Sequence, residues 1–298
     1  MTVQKRIPKV VAEIGGNHRG SVETAKEMIM MAAQFCKVDV VKFQKRCIKE
    51  CLTPQEYNAP HPNPANSYGD TYGKHREFLE FDVAIHRDLK AVCESYGVIY
   101  SSSVWDLTSA REIISLDPKL IKVPSACNTW DDLLAMLCQE YSGEIHIALG
   151  MTTRKEEEHI VDFINRHDRL KDTVVYHCTS GYPVPFENLY LQEIQRLIET
   201  YGGTVKAIGY SGHHNGIGAD IAAFTLGADW VERHFTLDRT WKGTDHAASL
   251  EPDGMRRVVR NNRQIADALQ RRPVDIAPIE LPQRKKLKWN RSSGEARA

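Results

Sequence analysis

Two lysines stand inside apolar runs of this 298-residue chain, Lys42 in VVKFQ and Lys122 in LIKV. Burying an ammonium group without a partner is costly, so each lysine needs an anion. Serines recur at the ends of neighbouring runs, at Ser101–Ser103, Ser125 and Ser211. Lysine is a compact point charge and a serine hydroxyl completes its hydrogen bonds, so the set suits a phosphate or a carboxylate. An internal salt bridge to Glu13 or Glu232 would satisfy the same lysines, and the residues leave both arrangements open. His213 and His234 end two successive runs, with Asp245 and Glu13 as nearby carboxylates. Imidazoles so placed can share one divalent cation. Two protein ligands imply an exchangeable ion that leaves room for substrate, a Lewis acid rather than a structural zinc.

The elements that must position these residues alternate along the chain. Short β-branched runs at 9–14, 38–43, 98–102, 120–123, 144–149, 173–177, 205–210 and 229–233 read as strands buried on both faces. Segments with i, i+3, i+4 apolar spacing at 21–35, 83–96, 107–116, 131–141, 155–166, 186–201, 217–226 and 253–269 read as helices. Ser21 stands where it can cap the first of them. Eight strands alternating with eight helices predict an α/β fold, a closed (β/α)8 TIM barrel over residues 1–270. An open doubly wound sheet is disfavoured, because GGN after the first strand does not make a dinucleotide-binding glycine pattern.

Barrel enzymes draw their functional side chains from the C-terminal strand ends and the loops that follow. Those positions hold Glu13, Asn17 and His18; Lys42 and Gln44; Ser103; Lys122 and Ser125; His177, Thr179, Ser180 and Tyr182; Ser211 and His213; Glu232 and His234; then Asp245. Residues 45–80 form an unusually long connection, expected to be a lid loop. The tail from 271 to 298 is Pro-rich and then basic, and is expected to be irregular and frayed at its end.

Composition narrows the function classes. Thirty-nine Lys+Arg balance 39 Asp+Glu, which argues against nucleic acid or an anionic membrane as the main partner. No apolar run approaches the roughly 18 residues of a membrane span. The N-terminus does not read as a signal peptide. The seven cysteines lack zinc-ligand spacing and read as reduced thiols of a cytoplasmic protein. Bland expectations hold elsewhere: His214 solvated, Lys155–Glu158 an exposed helix turn, and Met28, Met30 and Met31 packing filler.

The motifs VAEIGGNHRG, VVKFQ, YGDTYGKHREFLEF, HCTSGYP, GYSGHHNGIG and ERHFTLDRTWKGTDHAASLEP, colinear over roughly 9–270, resemble the sialic acid synthase family. GYSGH, CTS and TWKG are most similar to its animal-type N-acetylneuraminate 9-phosphate synthase branch. The resemblance implies condensation of phosphoenolpyruvate with an N-acylmannosamine or its 6-phosphate, with release of inorganic phosphate. It implies a divalent metal, Mn²⁺ or Mg²⁺, on His213 and His234, and a homodimer. It places Lys42, Ser103, Lys122, Ser125 and Ser211 on phosphoenolpyruvate, with Ser180 where bacterial relatives often carry Asn. It places Glu13, Gln44, Tyr182 and Asp245 on the acceptor sugar or the attacking water, so that Glu13, Lys42 and Asp245 are the catalytic assignments. Lys74, His75 and Arg76 are either contacts for a sugar phosphate or a solvated lid edge. The chain departs from the family pattern in one respect. Too little sequence follows the expected barrel for the C-terminal antifreeze-like domain of many members, whose arginine reaches the partner's site. A basic residue from 284–288, or a different dimer, is expected to substitute. Alternative implications are a related synthase acting on a diacetamido-trideoxyhexose, a metal-dependent aldolase, and a catalytically silent sugar-binding barrel.

Overall fold

A computed structural model describes residues 6–289. Eight strands close into one parallel barrel in sequence order: β1 (Lys9–Glu13), β2 (Val40–Lys45), β3 (Ile99–Val104), β4 (Leu120–Val123), β5 (Glu144–Ala148), β6 (Thr173–Cys178), β7 (Ala207–Gly212) and β8 (Trp230–His234). β1 pairs with both β2 and β8, with Glu13 level with Lys42 on one side and His234 on the other. The expected barrel is the observed one.

The strands are less uniformly apolar than expected, and the difference has a cause in their period of two. Outward residues such as Val10, Ala12, Val41, Phe43, Ile121, Ile145 and Val231 pack beneath the helices in two large clusters. Inward residues begin apolar at the strand starts, where Val11, Val40, Leu120, Val174, Tyr176 and Trp230 form a central plug. They turn polar toward the C-terminal ends. Gly209 on β7 is required by this plug, since a Cβ there would lie 2.6 Å from the Tyr176 ring.

The covering helices include α1 (Val22–Met30), continued by a wider turn over Met31–Cys36. Ser21 caps α1 as expected, its Oγ accepting from Thr24 N at 3.1 Å. Met28 is core, whereas Met30 is exposed. The expected lid loop is largely helical, with α2 (Ile48–Cys51), α3 (Pro54–Asn58) and α4 (Tyr72–Leu79). Helices this short are marginal alone and show little signal in sequence. They are held by tertiary packing: Gly73 lies so close to Tyr57 that a Cβ would overlap its ring, and Tyr68 Oη donates to the Lys242 carbonyl in the loop after β8.

The remaining helices are α5 (Val83–Ser95), α6 (Leu107–Ile114), α7 (Asp131–Glu140), α8 (Arg154–Arg166), α9 (Gln192–Tyr201), α10 (Gly218–Leu226) and α11 (Pro252–Ala268). Within α8 the Lys155–Glu158 turn is not wholly solvent-facing: Glu157 is buried and pairs with Arg196 at 2.7 Å. The tail is not irregular throughout, because α12 (Leu281–Leu287) forms there with no buried residue. The expected frayed end at 290–298 lies outside the described residues. Among those residues no helix is long and apolar enough to cross a membrane.

Candidate active site

The polar inward layer opens into a cavity of about 320 Å³ at the C-terminal end of the barrel. Glu13, Lys42, Gln44, Ser103, Lys122, Ser125, Ser180, Tyr182, Ser211, His213 and His234 all line it. Of the predicted site residues, Asp245 does not. It sits half-buried at the rim, in the loop after β8. Burial pushes its carboxyl up, but His234, Arg76, Arg46 and His213 around it bring it below the usual range.

The period of two explains why these residues converge. Lys42 and Gln44, Ser101 and Ser103, Glu232 and His234 are i, i+2 pairs, so each strand presents two successive polar groups to the interior. His177 was a strand-end candidate, but it has the opposite parity. It points outward, with Nε2 donating to the Leu189 carbonyl at 2.7 Å. Asn17 and His18 also serve structure: Asn17 Nδ2 donates to Phe235 O and Ser249 Oγ, and His18 stacks on Phe81 at 4.1 Å.

On the floor, both lysines enter an ion-pair network, so the salt bridges to Glu13 and Glu232 are formed. Lys42 Nζ pairs with Glu13, reaches Glu232 at 3.4 Å and donates to Ser103 Oγ at 2.8 Å. Lys122 Nζ pairs with Glu232 at 2.8 Å and meets Ser211 Oγ at 3.4 Å. Two ammonium and two carboxylate groups, all buried, therefore neutralise one another. Burial alone would lower the Lys42 ammonium, yet Glu13 and Glu232 raise it above its ordinary value. Burial likewise pushes the Glu232 carboxyl up, and Lys122 and Lys42 more than reverse that. Lys42 is thus a fixed cation rather than a base. Glu232 stands in the sequence both as a strand-end residue and as a salt-bridge partner of the lysines but was given no role on substrate, and its position two residues before His234 puts it in the same inward row.

Beside this floor, Gly150 N donates to Ser125 Oγ at 3.0 Å. A Cβ on Gly150 would lie 2.4 Å from Ser180 Oγ and 2.7 Å from Ser125 Oγ, so glycine is what lets both hydroxyls converge. Gly15, with φ of 53°, similarly leaves room for Gln44, whose Nε2 donates to Glu13 Oε1 at 2.6 Å.

Two residues above the lysine–glutamate layer stand the histidines, their ring centroids 5.4 Å apart. Tyr182 covers both, at 4.4 Å from His213 and 5.8 Å from His234. His213 Nδ1 donates to the Thr179 carbonyl at 3.0 Å, which fixes the tautomer and leaves Nε2 as a lone pair. Burial holds its pKa down at about 3, so the ring is neutral. His234 Nδ1 is buried without a hydrogen-bond partner. A neutral imidazole with a free lone pair beside an orphaned ring nitrogen is a donor set that fits a divalent cation. A second group, Cys47, Glu50 and Asp106, brings its donor atoms within 4.8 Å of one another. Both Asp106 oxygens are already occupied there, by Ser109 N and Oγ and by Cys47 N, each at 2.7 Å.

Behind the histidines, Arg233 is fully buried on the outer face of β8. Its Nη1 reaches Asp220 Oδ2 at 2.6 Å, His214 Nε2 at 3.0 Å and the Gly216 carbonyl at 2.9 Å. His214, expected to be solvated, is instead wholly buried within this network. Arg233 and His214 adjoin the two candidate metal ligands in sequence, so one guanidinium ties the β7–α10 turn to β8.

Residues 28–273 match the NeuB family. The chain belongs to the NeuB family. It is 34% identical over 281 residues to N-acetylneuraminate-9-phosphate synthase of Homo sapiens, covering 93% of this chain and 76% of that protein. It is 31% identical over 261 residues to N,N'-diacetyllegionaminic acid synthase of Campylobacter jejuni, covering 87% and 77%. Among solved structures, the N-acetylneuraminic acid (sialic acid) synthetase of Leptospira borgpetersenii, in complex with citrate, shares the fold with a TM-score of 0.79 at 22% identity. That match covers 97% of this chain and 98% of the other. The barrel, with its polar cavity at the C-terminal strand ends, is thus the NeuB-family scaffold.

Proposed function

We propose that this NeuB-family protein is a transferase that forms a carbon–carbon bond between phosphoenolpyruvate and an N-acylmannosamine or its 6-phosphate, releasing inorganic phosphate. The observation that carries the reading is the layered cavity, a serine-lined lysine pair beneath two histidines. The 34% identity to a 9-phosphate synthase supports this class of acceptor over the diacetamido sugar suggested by the relative at 31%.

His213 and His234 would hold a divalent cation, Mn²⁺ or Mg²⁺, which supplies Lewis-acid polarisation of the acceptor carbonyl when bound. Lys42 and Lys122 bind the carboxylate and phosphate of phosphoenolpyruvate, with Ser103, Ser125, Ser180 and Ser211 completing the hydrogen bonds. This orients C3 of phosphoenolpyruvate toward the aldehyde carbon of the open-chain sugar, and positioning with charge stabilisation supplies much of the acceleration. As the C–C bond forms, positive charge develops at C2 and the carbonyl oxygen becomes an alkoxide, which turns into the hydroxyl on receiving, through the carboxylate, the proton that water releases in the next step. Water adds to C2, its proton taken by Glu13 or Asp245, and the tetrahedral adduct expels phosphate to leave the ketone. Gln44 fixes the Glu13 carboxylate, and Tyr182 walls the acceptor side.

The test incubates purified protein with phosphoenolpyruvate, Mn²⁺ and a panel of free and 6-phosphorylated N-acylmannosamines. Phosphate release with a product mass equal to the sum of both substrates and water, less phosphoric acid, supports the reading. Pyruvate formation, or no consumption of either substrate, refutes it.

A further inference from the structure

The two histidines are not held alike. His234 is the last residue of β8 and lies inside the sheet, level with Glu13 on β1, and its carbonyl accepts from Leu250 N at 2.8 Å. His213 stands one residue beyond the end of β7, where the strand ladder no longer fixes the backbone. Its bonds go to the preceding loop, with the carbonyl accepting from Val184 N at 3.0 Å and Nδ1 donating to Thr179 O. The turn that follows is open on one side. A cavity of about 280 Å³ borders His214, Asn215, Gly216 and Ile217, and a Cβ built on Gly216 would meet nothing within 4 Å. On that side no packing pins the turn.

Arg233 reaches the turn from the sheet. It is level with Gly212, the last residue of β7. Its Nη2 donates to the His214 carbonyl, and its Nη1 to the Gly216 carbonyl at 2.9 Å and to His214 Nε2 at 3.0 Å. A guanidinium only donates, so His214 Nε2 is the acceptor and its Nδ1–H faces Tyr210 Oη on β7 at 3.2 Å. The counter-charge is Asp220, with Oδ2 at 2.6 Å from Nη1. Arg233, His214 and Asp220 are all buried, whereas a further tie on the turn, from Arg239 Nη2 to Asn215 Oδ1 at 2.9 Å, is exposed. Because Asp220 cancels its charge, the guanidinium stands next in sequence to His234 without adding net charge beside the histidine pair.

Resting on the metal reading above, we infer that Arg233 is a positioning residue for the ion: it fixes His213 against His234 in advance of binding. Two protein ligands have no third to enforce their spacing. Freedom left in the turn would have to be given up when the ion binds, and affinity would fall accordingly. The lysines of the floor stand on β2 and β4, so phosphoenolpyruvate should not sense the clamp.

The experiment reads Mn²⁺ binding by electron paramagnetic resonance, without substrates, in wild type, in Arg233→Lys, and in Arg233→Met combined with Asp220→Leu. The double variant removes both charges of the buried pair at similar volume, a replacement that folded proteins often tolerate, and it loses every bond to the turn. Its Mn²⁺ affinity should fall about 10- to 100-fold, the usual cost of losing an outer partner of a metal site. Arg233→Lys keeps the charge and part of the bonding, so its loss should be smaller. Phosphate release lost at low Mn²⁺ should return at high Mn²⁺, with the KM for phosphoenolpyruvate as in wild type. Wild-type Mn²⁺ affinity in the double variant, or in Arg233→Lys if the double variant does not fold, overturns the inference and leaves the metal reading intact. Equal losses of Mn²⁺ and phosphoenolpyruvate binding also overturn it, because Arg233 then serves only the stability of the barrel. No Mn²⁺ bound by wild type overturns both the clamp and the metal reading.

Discussion

Replacing Glu232 by Gln tests the ion-pair floor, because it removes one charge while keeping the side chain's shape. Glu232 lies 2.8 Å from Lys122 and 3.4 Å from Lys42. At an effective dielectric of about 20 these contacts amount to roughly 6 and 5 kcal/mol of gross attraction. Desolvation of the three buried charges offsets much of it, and removing one partner of a buried pair typically costs about 3–5 kcal/mol. For a chain of this size each kcal/mol shifts Tm by roughly 2–4 °C, so a fall on the order of 10 °C is expected in the free protein. Phosphoenolpyruvate should then behave asymmetrically. In wild type it enters a neutral floor of two ammonium and two carboxylate groups, whereas in the variant it enters a floor with one excess positive charge. Saturating phosphoenolpyruvate should therefore raise Tm more in Glu232→Gln than in wild type. Thermal denaturation by circular dichroism, with and without the ligand, measures both quantities. A variant as stable as wild type would refute the energetics, and an equal or smaller ligand-induced shift would show that the lysines are not the phosphoenolpyruvate site.

Three further outcomes are expected. His213→Ala and His234→Ala should each abolish tight Mn²⁺ binding by electron paramagnetic resonance, together with phosphate release, and full wild-type turnover in excess chelator would contradict the assignment. Gly150→Ala should force Ser125 and Ser180 apart, an overpacking cost of about 1–3 kcal/mol seen as a KM for phosphoenolpyruvate raised on the order of tenfold to a hundredfold. His18 and His86 are buried and held down at about 3, so the unfolded chain binds protons that the native chain does not between about 6.5 and 3. Their contribution to stability is complete above 6.5 and is lost as pH falls, at roughly 1.4 kcal/mol per pH unit for each group. Urea unfolding at pH 7 and pH 5 checks this, and equal stability at the two values would count against it.

The barrel and most of the cavity were legible because both rest on short-range periodicity. Apolar runs of four to six residues announced the strands, and polar residues inside those runs announced what faces the interior. What escaped needed contacts between distant segments. His214 reads as a turn residue until Arg233, 19 positions on, reaches back to it. Glu157 reads as an exposed helix-start carboxylate until Arg196 on α9 covers it. The lid helices are too short to declare themselves, and contacts between distant segments such as Tyr57 against Gly73, Cys47 N on Asp106 and the Tyr68–Lys242 bond hold them in place. Parity misled at His177, where a strand-end histidine sits one residue out of step with the inward face.

The stacking of the cavity also dictates an order of traffic. Glu232 and His234 are successive inward residues of one strand, so the charged floor lies roughly 7 Å beneath the imidazole tier. The apolar plug closes the cavity from below. Whatever occupies the floor must pass the upper tier to arrive, and it cannot leave while the upper tier is filled. Depth alone thus makes the barrel a last-in, first-out container.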